Sequence, residues 1–577
     1  MLTVLALAAL PMVSTRLHES PWSPIDGPTS VSLTATPPVV ATGGDVVISW
    51  SNIDQHPKDY VTLTCGPTTG PNDFIAARNV SGSFVRFEDL YMLRCDYEAH
   101  YYHFVNDAFA HVSDIVIPLS ESKNAPKHGH LSFNDGLNQM VISFNSASTT
   151  TPMARYGKSR TLDDHLVRFG STTTYTAEDM CHAPATTMGQ TLYRHPGYFH
   201  SVVMDNLEPA TEYFYQFGND VDGWSDVASF VSRVTRGDET PVSFIAYADM
   251  GVDDAPRGWS TALRVFEDVV ARGYNHFLLH FGDISYARGN VLQWDKFFAL
   301  LEPLATRMYV PAMHLAELAH AVRVVRTWWA SATVRFFPNH GIGSNGYCVD
   351  EFDYTSGGDK DPSQLESFHP AWGNYGADSS GECGVPMVHR FHAPTNGRGL
   401  FWYSFDYGLV HVVQMSSEHD FLPGSLQHTW LEKTLAAVDR RQTPWVVLTA
   451  HRMMYTTQIG EAKDLRVSRH FRAAVEPLLR QHRVNLVLAG HQHSYERSCP
   501  VFNGTCVDQG TVHMVVGSAG AELEQQGFSP EIGPWSVANI NAYGYLRGRI
   551  SRDRMHLEFV LNANGNVYDQ VDLLPWA

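Results

Sequence analysis

Through the first 240 residues, apolar side chains recur at every second position in short runs separated by turn-forming residues. Asp45-Val46-Val47-Ile48-Ser49-Trp50 and Tyr60-Val61-Thr62-Leu63-Thr64 are two such runs. Gln139-Met140-Val141-Ile142-Ser143-Phe144 is a third, and Glu212-Tyr213-Phe214-Tyr215-Gln216-Phe217 follows the turn Leu207-Glu208-Pro209-Ala210-Thr211. This period predicts strands, and their spacing predicts two all-β sandwiches, at residues 28–120 and 128–236. Neither shows any chemistry, so both read as scaffold or partner-contact modules. After Thr240 the rhythm changes to short continuous apolar runs alternating with helical patterns. Val242-Ser243-Phe244-Ile245-Ala246-Tyr247-Ala248 leads to a helix at 261–272, with Leu263, Phe266, Val269 and Val270 on one face and Gly273 as its stop. A second helix is expected at 468–481. Residues 240–577 therefore read as an α/β layered domain.

The polar residues that follow those apolar runs carry the chemistry. Asp249 follows the first run, and Gly282-Asp283-Ile284-Ser285-Tyr286 follows His276-Phe277-Leu278-Leu279-His280-Phe281. His451 follows Trp445-Val446-Val447-Leu448-Thr449-Ala450, and Gly490-His491-Gln492-His493 follows Val484-Asn485-Leu486-Val487-Leu488-Ala489. Space beyond the carboxyl ends of strands is where α/β sheets bind ligands. A lone Asp there is usually a cap and a lone His usually structural, but four such sites in one domain call for a shared explanation. Gly282 and Gly490 let the backbone turn sharply just before the suspects. Oxygen and nitrogen donors gathered at strand ends are what a catalytic pair of metal ions needs, so the domain reads as a metallohydrolase.

The set resembles the purple acid phosphatases, a branch of the calcineurin-like metallophosphoesterases. The resemblance rests on Asp249-Met250-Gly251, Gly282-Asp283-Ile284-Ser285-Tyr286, Ala450-His451-Arg452 and Gly490-His491-Gln492-His493, with Tyr286 the most specific sign. Upstream, Asp179-Met180-Cys181, His195-Pro196-Gly197-Tyr198-Phe199-His200 and Gly223-Trp224-Ser225 resemble that family's fibronectin-type-III-like domain. The extra N-terminal sandwich resembles the larger plant-type members. The resemblance implies a four-layer α-β-β-α metallophosphoesterase domain preceded by β-sandwiches. It implies ferric iron held by Asp249, Asp283, Tyr286 and His493, and a divalent ion (zinc, iron or manganese) shared by Asp283 with His451 and His491. Two such ions, about 4 Å apart, would clamp a phosphate monoester while a metal-bound hydroxide attacks phosphorus.

One motif departs from that pattern. The family's Gly-Asn-His-Asp/Glu, which supplies an Asn ligand to the divalent metal and a His to the substrate, is missing. Leu301-Glu302-Pro303-Leu304-Ala305-Thr306-Arg307 resembles its approach and Glu351-Phe352-Asp353-Tyr354 its exit. Residues 308–350 between them form an anomalous insertion, long for a loop. They carry Arg323, Arg326 and Arg335 against one acid before Cys348, Glu317. Two readings stay open: a segment foreign to the working enzyme, such as a retained intron, or a true insertion in which Asn339 and His340 replace the lost pair. A second departure is that Thr456-Thr457-Gln458-Ile459 lacks a further active-site His.

Composition narrows the picture. The chain has 577 residues, 44% hydrophobic and 18% charged, enough apolar mass for several cores. A formal charge of −19 argues against a nucleic-acid binder and gives no sign of a membrane partner, and the partner the resemblance implies is a phosphorylated small-molecule substrate. The apolar start, Leu2-Thr3-Val4-Leu5-Ala6-Leu7-Ala8-Ala9-Leu10, followed by Val13-Ser14-Thr15, suits a signal peptide over residues 1–15, hence a secreted, extracellular or vacuolar protein. Asn79-Val80-Ser81 and Asn503-Gly504-Thr505 are glycosylation sequons. Of seven cysteines, Cys499 with Cys506 and Cys65 with Cys95 are the candidate disulfides, and the absence of any Cys-x-x-Cys disfavours a thiolate zinc site. The expected function is a secreted dimetal acid phosphatase. Phosphodiester or nucleotide pyrophosphate hydrolysis at the same site is an alternative, as is a crippled isoform that only binds.

Overall fold

In the computed structural model, the described residues are 31–66, 74–90, 93–180, 183, 185–186, 195–252, 255, 257–306, 336–340 by backbone alone, 382, 384–417, 419–459 and 462–576. The expected signal peptide and most of the insertion at 308–350 lie outside them. The chain divides into two compact units, one ending at Glu121 and one spanning Ser122–Ala577.

The first unit is a sandwich. Its three-stranded sheet runs Ser32–Thr36, Gly44–Ser51, Phe84–Leu90, and its four-stranded sheet runs Ala76–Asn79, Tyr60–Cys65, Tyr97–Val105, Ala108–Ile117. Period-2 alternation does what it should: Val46, Ile48 and Trp50 are buried on one sheet, and Val61, Leu63, Ala99 and Tyr101 on the other. Trp50 meets Tyr101 edge-on with ring centroids 5.2 Å apart. Cys65 and Cys95 are disulfide-bonded.

The second unit opens with another sandwich. One sheet contains Leu166–Phe169, Met153–Gly157 and Glu212–Asn219, the other Ser171–Thr173, Tyr198–Met204, Met140–Ser146 and Lys127–Phe133. It docks on the helix Val291–Ala305, which starts at Asn290, whose side chain accepts the Leu292 N–H at 3.1 Å. The Gly129 N–H donates to the Glu302 carboxylate at 3.0 Å, and the Tyr215 hydroxyl donates to the Thr306 carbonyl at 2.7 Å. A Cβ at position 129 would lie 2.4 Å from the Phe217 ring and 2.6 Å from the Thr306 methyl, so only glycine permits this approach.

Two large sheets then pack face to face. The six-stranded one is ordered Phe336–His340, Phe277–Gly282, Val242–Tyr247, Gly544–Ile550, Met555–Leu561, Val567–Leu573. The seven-stranded one is ordered Tyr403–Tyr407, Val410–Gln414, Trp445–Thr449, Leu486–Ala489, Val512–Val516, Tyr495–Ser498, Ser536–Ile540. Phe244, Ala246 and Leu279 share one core with Val412, Val447, Leu488 and Met514. On the outer face of the second sheet, Val446, Leu448 and Val487 meet Leu431, Val467, Phe471 and Val475 of the helices Leu426–Ala436 and Ala462–Gln481. The helix Gly258–Arg272, stopped by Gly273 at φ 70°, buries Val265 and Val269 in the first core. The domain is thus helix, sheet, sheet, helix. Each large apolar side chain it buries contributes about 1.5–3 kcal/mol.

One buried acid links this packing to pH. Glu382 is 1% exposed and its carboxylate accepts the Gly289 N–H at 2.8 Å and the Trp294 indole N–H at 3.3 Å. Burial pushes its pKa up to about 7, against the opposing pull of those two donors and of Arg390. The folded state therefore holds this proton more tightly than the unfolded chain does. Its stabilising effect is complete below the unfolded pKa of about 4.3 and is lost as pH rises through 7, about 4 kcal/mol in all. Glu382→Gln keeps the acceptor oxygen and cannot ionise. The difference in unfolding free energy between variant and wild type should shift in the variant's favour from pH 4.5 to pH 7. A pH-independent difference in chemical denaturation would contradict this.

Candidate metal centre

The site is built where strands of both sheets end. Val242–Tyr247 and Phe277–Gly282 are parallel neighbours, so Asp249 and Asp283 emerge side by side. Trp445–Thr449 and Leu486–Ala489 are parallel neighbours in the other sheet and deliver His451 and His491. Asp249 ties the two sheets together. Its Oδ1 accepts the Asp283 N–H at 2.8 Å and its Oδ2 accepts the His491 N–H at 2.7 Å. Glycines make room for it: a Cβ at Gly282 would lie 2.3 Å from Oδ1, and one at Gly490 would lie 2.7 Å from Oδ2 and 2.4 Å from the Ala248 Cβ. Asp249, Tyr286 and His491 adopt left-handed backbone, with φ of 59°, 54° and 69°. Each costs about 1–2 kcal/mol for a non-glycine residue, a strain borne by three residues of the site.

The side chains converge in two groups. In the first, the Tyr286 hydroxyl lies 3.0 Å from His493 Nε2. His493 Nδ1 donates to the Glu522 carbonyl at 2.7 Å, which leaves Nε2 as the lone-pair nitrogen. Donor atoms of Asp249, Asp283 and His493 all lie within 4.8 Å of one another. In the second group, His451 Nε2 is 3.2 Å from His491 Nδ1 and 3.9 Å from Asp283 Oδ1. Asp283 stands between the groups.

Without a cation, four of these donors are driven towards their neutral forms. Burial, then the Asp283 charge, raises the Asp249 carboxyl well above the usual carboxylate range. Burial and the same two carboxylates raise the Tyr286 phenol. Burial, then His491, lowers the His451 imidazole, and burial lowers His493 to about 4. Two adjacent buried carboxylates, a phenol and three imidazoles form a donor set with a deficit of positive charge, which multivalent cations fit.

Asn339 and His340 close the strand Phe336–His340, whose backbone runs parallel to Phe277–Gly282 with Asn339 beside Phe281 and His340 beside Gly282. That register brings both positions to the strand end that precedes Asp283. Three supports were not legible in the sequence. Arg452 Nη1 lies 3.0 Å from His491 Nε2, and the Arg452 N–H donates to the Ser417 hydroxyl at 2.9 Å. The Thr456 hydroxyl donates to the Gln492 amide oxygen. The Thr457 N–H donates to Glu496 at 2.9 Å. The Thr456-Thr457 pair, notable in the sequence only for lacking a His, clamps the segment between His491 and Glu496. Among the other singled-out residues, Asn79 and Asn503 are exposed, and Cys499 is bonded to Cys506 around the small hairpin Val501–Phe502 and Thr505–Cys506. Cys181, Cys348 and Cys383 lie outside the described residues.

The paired sheets with donors at their joint strand ends have the fold of the metallophosphoesterases. The profile of the purple acid phosphatase N-terminal domain matches residues 126–232, that of the calcineurin-like phosphoesterases residues 335–495, and that of the iron/zinc purple acid phosphatase-like protein C region residues 510–570. "Probable inactive purple acid phosphatase 9" of Arabidopsis thaliana is 32% identical over 94% of this chain and 85% of its own length. A "Nucleotide pyrophosphatase/phosphodiesterase" of Hordeum vulgare is 28% identical over 60% of this chain and 86% of its own. The purple acid phosphatase isolated from yellow lupin (Lupinus luteus) seeds superposes with a TM-score of 0.75 at 23% identity, covering 94% of this chain and 96% of that one. The chain belongs to the purple acid phosphatase family, whose members generally bind a dimetal centre.

The glycine cradle makes a direct prediction. Gly490→Ala forces a methyl group against Ala248 and the Asp249 carboxylate, so it should destabilise the fold by about 1–3 kcal/mol and lower metal content. Thermal unfolding and elemental analysis of the variant check it. Full metal content with unchanged stability would show that Asp249 is not held as described.

Proposed function

We propose that this chain is a metal-dependent acid phosphatase that hydrolyses phosphate monoesters of small molecules. The observation that carries the reading is the pairing of the two donor groups around Asp283, with partner atoms 3.0 Å apart in one and 3.2 Å apart in the other. The carboxylates of Asp249 and Asp283, the phenol of Tyr286 and one imidazole, His493, suit ferric iron. His451 and His491, with Asp283 shared, suit zinc, iron or manganese. Bound there, the two ions supply Lewis acidity to the phosphoryl oxygens and lower the pKa of a water. The chain's own residues do the positioning. Asp249 fixes both loops through its two oxygens, and Glu522 fixes the His493 tautomer. Asn339 as a further ligand to the divalent ion, and His340 as a contact to substrate, rest on backbone register alone.

A second reading, a site weakened towards binding only, has its own observation. A ligating histidine ordinarily donates its second ring N–H to an acceptor. Beside Nε2 of His491 stands the Arg452 guanidinium, a permanent cation that only donates. Its charge opposes a divalent ion at His451 and His491, in keeping with the name borne by the Arabidopsis relative.

Kinetics of the metal-loaded protein at acidic pH on an aryl phosphate monoester, a diester and a nucleotide pyrophosphate separate the readings. The proposal expects the monoester to be turned over at least about tenfold faster than the other two. Faster diester or pyrophosphate hydrolysis would move the assignment to that class, and no turnover of any would leave the binding reading. Arg452→Gln should raise affinity for the divalent ion by at least about tenfold, since it removes a charge close to the site. Unchanged affinity would remove the case for a weakened site.

We also propose that the protein enters the secretory route. Disulfides Cys65–Cys95 and Cys499–Cys506 suit an oxidising compartment, and both sequons are exposed. No helix among the described residues is long and apolar enough to cross a membrane. Glycosidase treatment should lower the mass of protein from its native source, with one glycan lost in Asn79→Gln and another in Asn503→Gln. A mass unaffected by the enzyme would count against the route.

A further inference from the structure

The N-terminal unit holds a second cluster of metal-binding donors, apart from the centre described above. In the hairpin Tyr97–Val105 and Ala108–Ile117, His100 pairs with Asp114 and Tyr102 pairs with His111. Positions three apart on a regular strand face opposite ways, so His111 and Asp114 should diverge. The register shifts by one residue between Tyr101 and Tyr102, leaving Val112 as the extra residue of a bulge. That bulge turns His111 and Asp114 to the same side as His100.

The resulting distances are those of a small metal polyhedron. His100 Nδ1 is 3.3 Å from His111 Nε2, and His111 Nε2 is 3.7 Å from Asp114 Oδ1. All three residues offer donor atoms within 4.8 Å of one another. A tetrahedral zinc ion with Zn–N bonds of about 2.0 Å sets its ligand atoms about 3.3 Å apart.

A neighbour also orients the buried imidazole. The Thr64 hydroxyl donates to the Gly66 carbonyl at 2.7 Å, so its oxygen accepts from His100 Nε2 at 3.2 Å. The Glu98 carboxylate, 3.7 Å from the same nitrogen, favours a proton there. Nδ1 is then the lone-pair atom, and it faces His111. An outer acceptor that fixes the ring and its tautomer is the usual support of a metal-ligating histidine. His100 is 3% exposed, while Asp114 is exposed, so the cluster opens to solvent on one side.

We propose that His100, His111 and Asp114 form a binding site for a divalent transition ion, zinc by preference, with a water at the fourth position. Two imidazoles and a single carboxylate select zinc over magnesium or calcium, which require mostly oxygen donors. The alternative is a pair of imidazoles sharing a proton across a hairpin.

The test uses the full chain and two single variants at the accessible positions, His111→Gln and Asp114→Asn, each checked for folding by circular dichroism. Equilibrium dialysis against zinc with elemental analysis should show one more tight zinc in the wild type than in either variant, or an affinity at least tenfold weaker in both. Iron content should be the same in all three, which separates this site from the one around Asp283. Zinc should raise the thermal midpoint of the wild type more than that of the variants, and excess magnesium should not compete. Equal zinc stoichiometry and affinity in the wild type and either folded variant would overturn the proposal.

Discussion

The Asp249 carboxylate is the interaction on which the rest of the molecule depends. Its two oxygens accept backbone N–H groups from loops that leave two different sheets, at 2.8 and 2.7 Å. Hydrogen bonds to a charged acceptor contribute about 1.5–3 kcal/mol each, but burying that charge beside Asp283 costs energy that protein groups alone do not offset. A multivalent cation reverses the balance. Sheet packing, loop geometry and metal affinity are therefore coupled through one side chain, and removing the metal should loosen the joint between the sheets.

The layered architecture serves this joint. Apolar runs bury both faces of the central strands, one against the other sheet and one against a helix, so side-chain placement at the strand ends is rigid. The second sandwich adds to that rigidity. Its docking through Gly129 and Tyr215 braces the helix Val291–Ala305, whose N-terminal turn is held by Glu382.

Much of this is legible in the chain because the physics involved is local. The run Trp445–Thr449 is buried throughout and apolar at its first four positions because both its faces are covered, and His451 just after it stands out. Helix starts are less visible. The helix Gly258–Arg272 begins three residues before its apolar stripe suggests, with Arg257 at the cap and no side-chain hydrogen bond there to mark the start. Ala462–Gln481 likewise begins upstream of 468, where the residues are mostly polar. Contacts between distant segments leave no periodic trace. Arg452 behind His491, Thr456 against Gln492 and Glu382 beneath Trp294 belong to this kind. The bulge at Val112 shows the same limit, since a period of two would send His111 and Asp114 to opposite faces. Asn339 and His340 are intermediate: Phe336 and Phe337 signal a strand, and its place beside Phe277–Gly282 is a matter of tertiary pairing.

The central claim is that six residues from four strand ends hold two metal ions, one of them ferric and bound to a phenolate. Elemental analysis of the purified protein, combined with its visible absorption spectrum, tests this most directly. The account predicts iron together with a second metal in each chain, and a phenolate-to-iron absorption band that Tyr286→Phe abolishes. A folded protein free of iron, with no visible band, would contradict it.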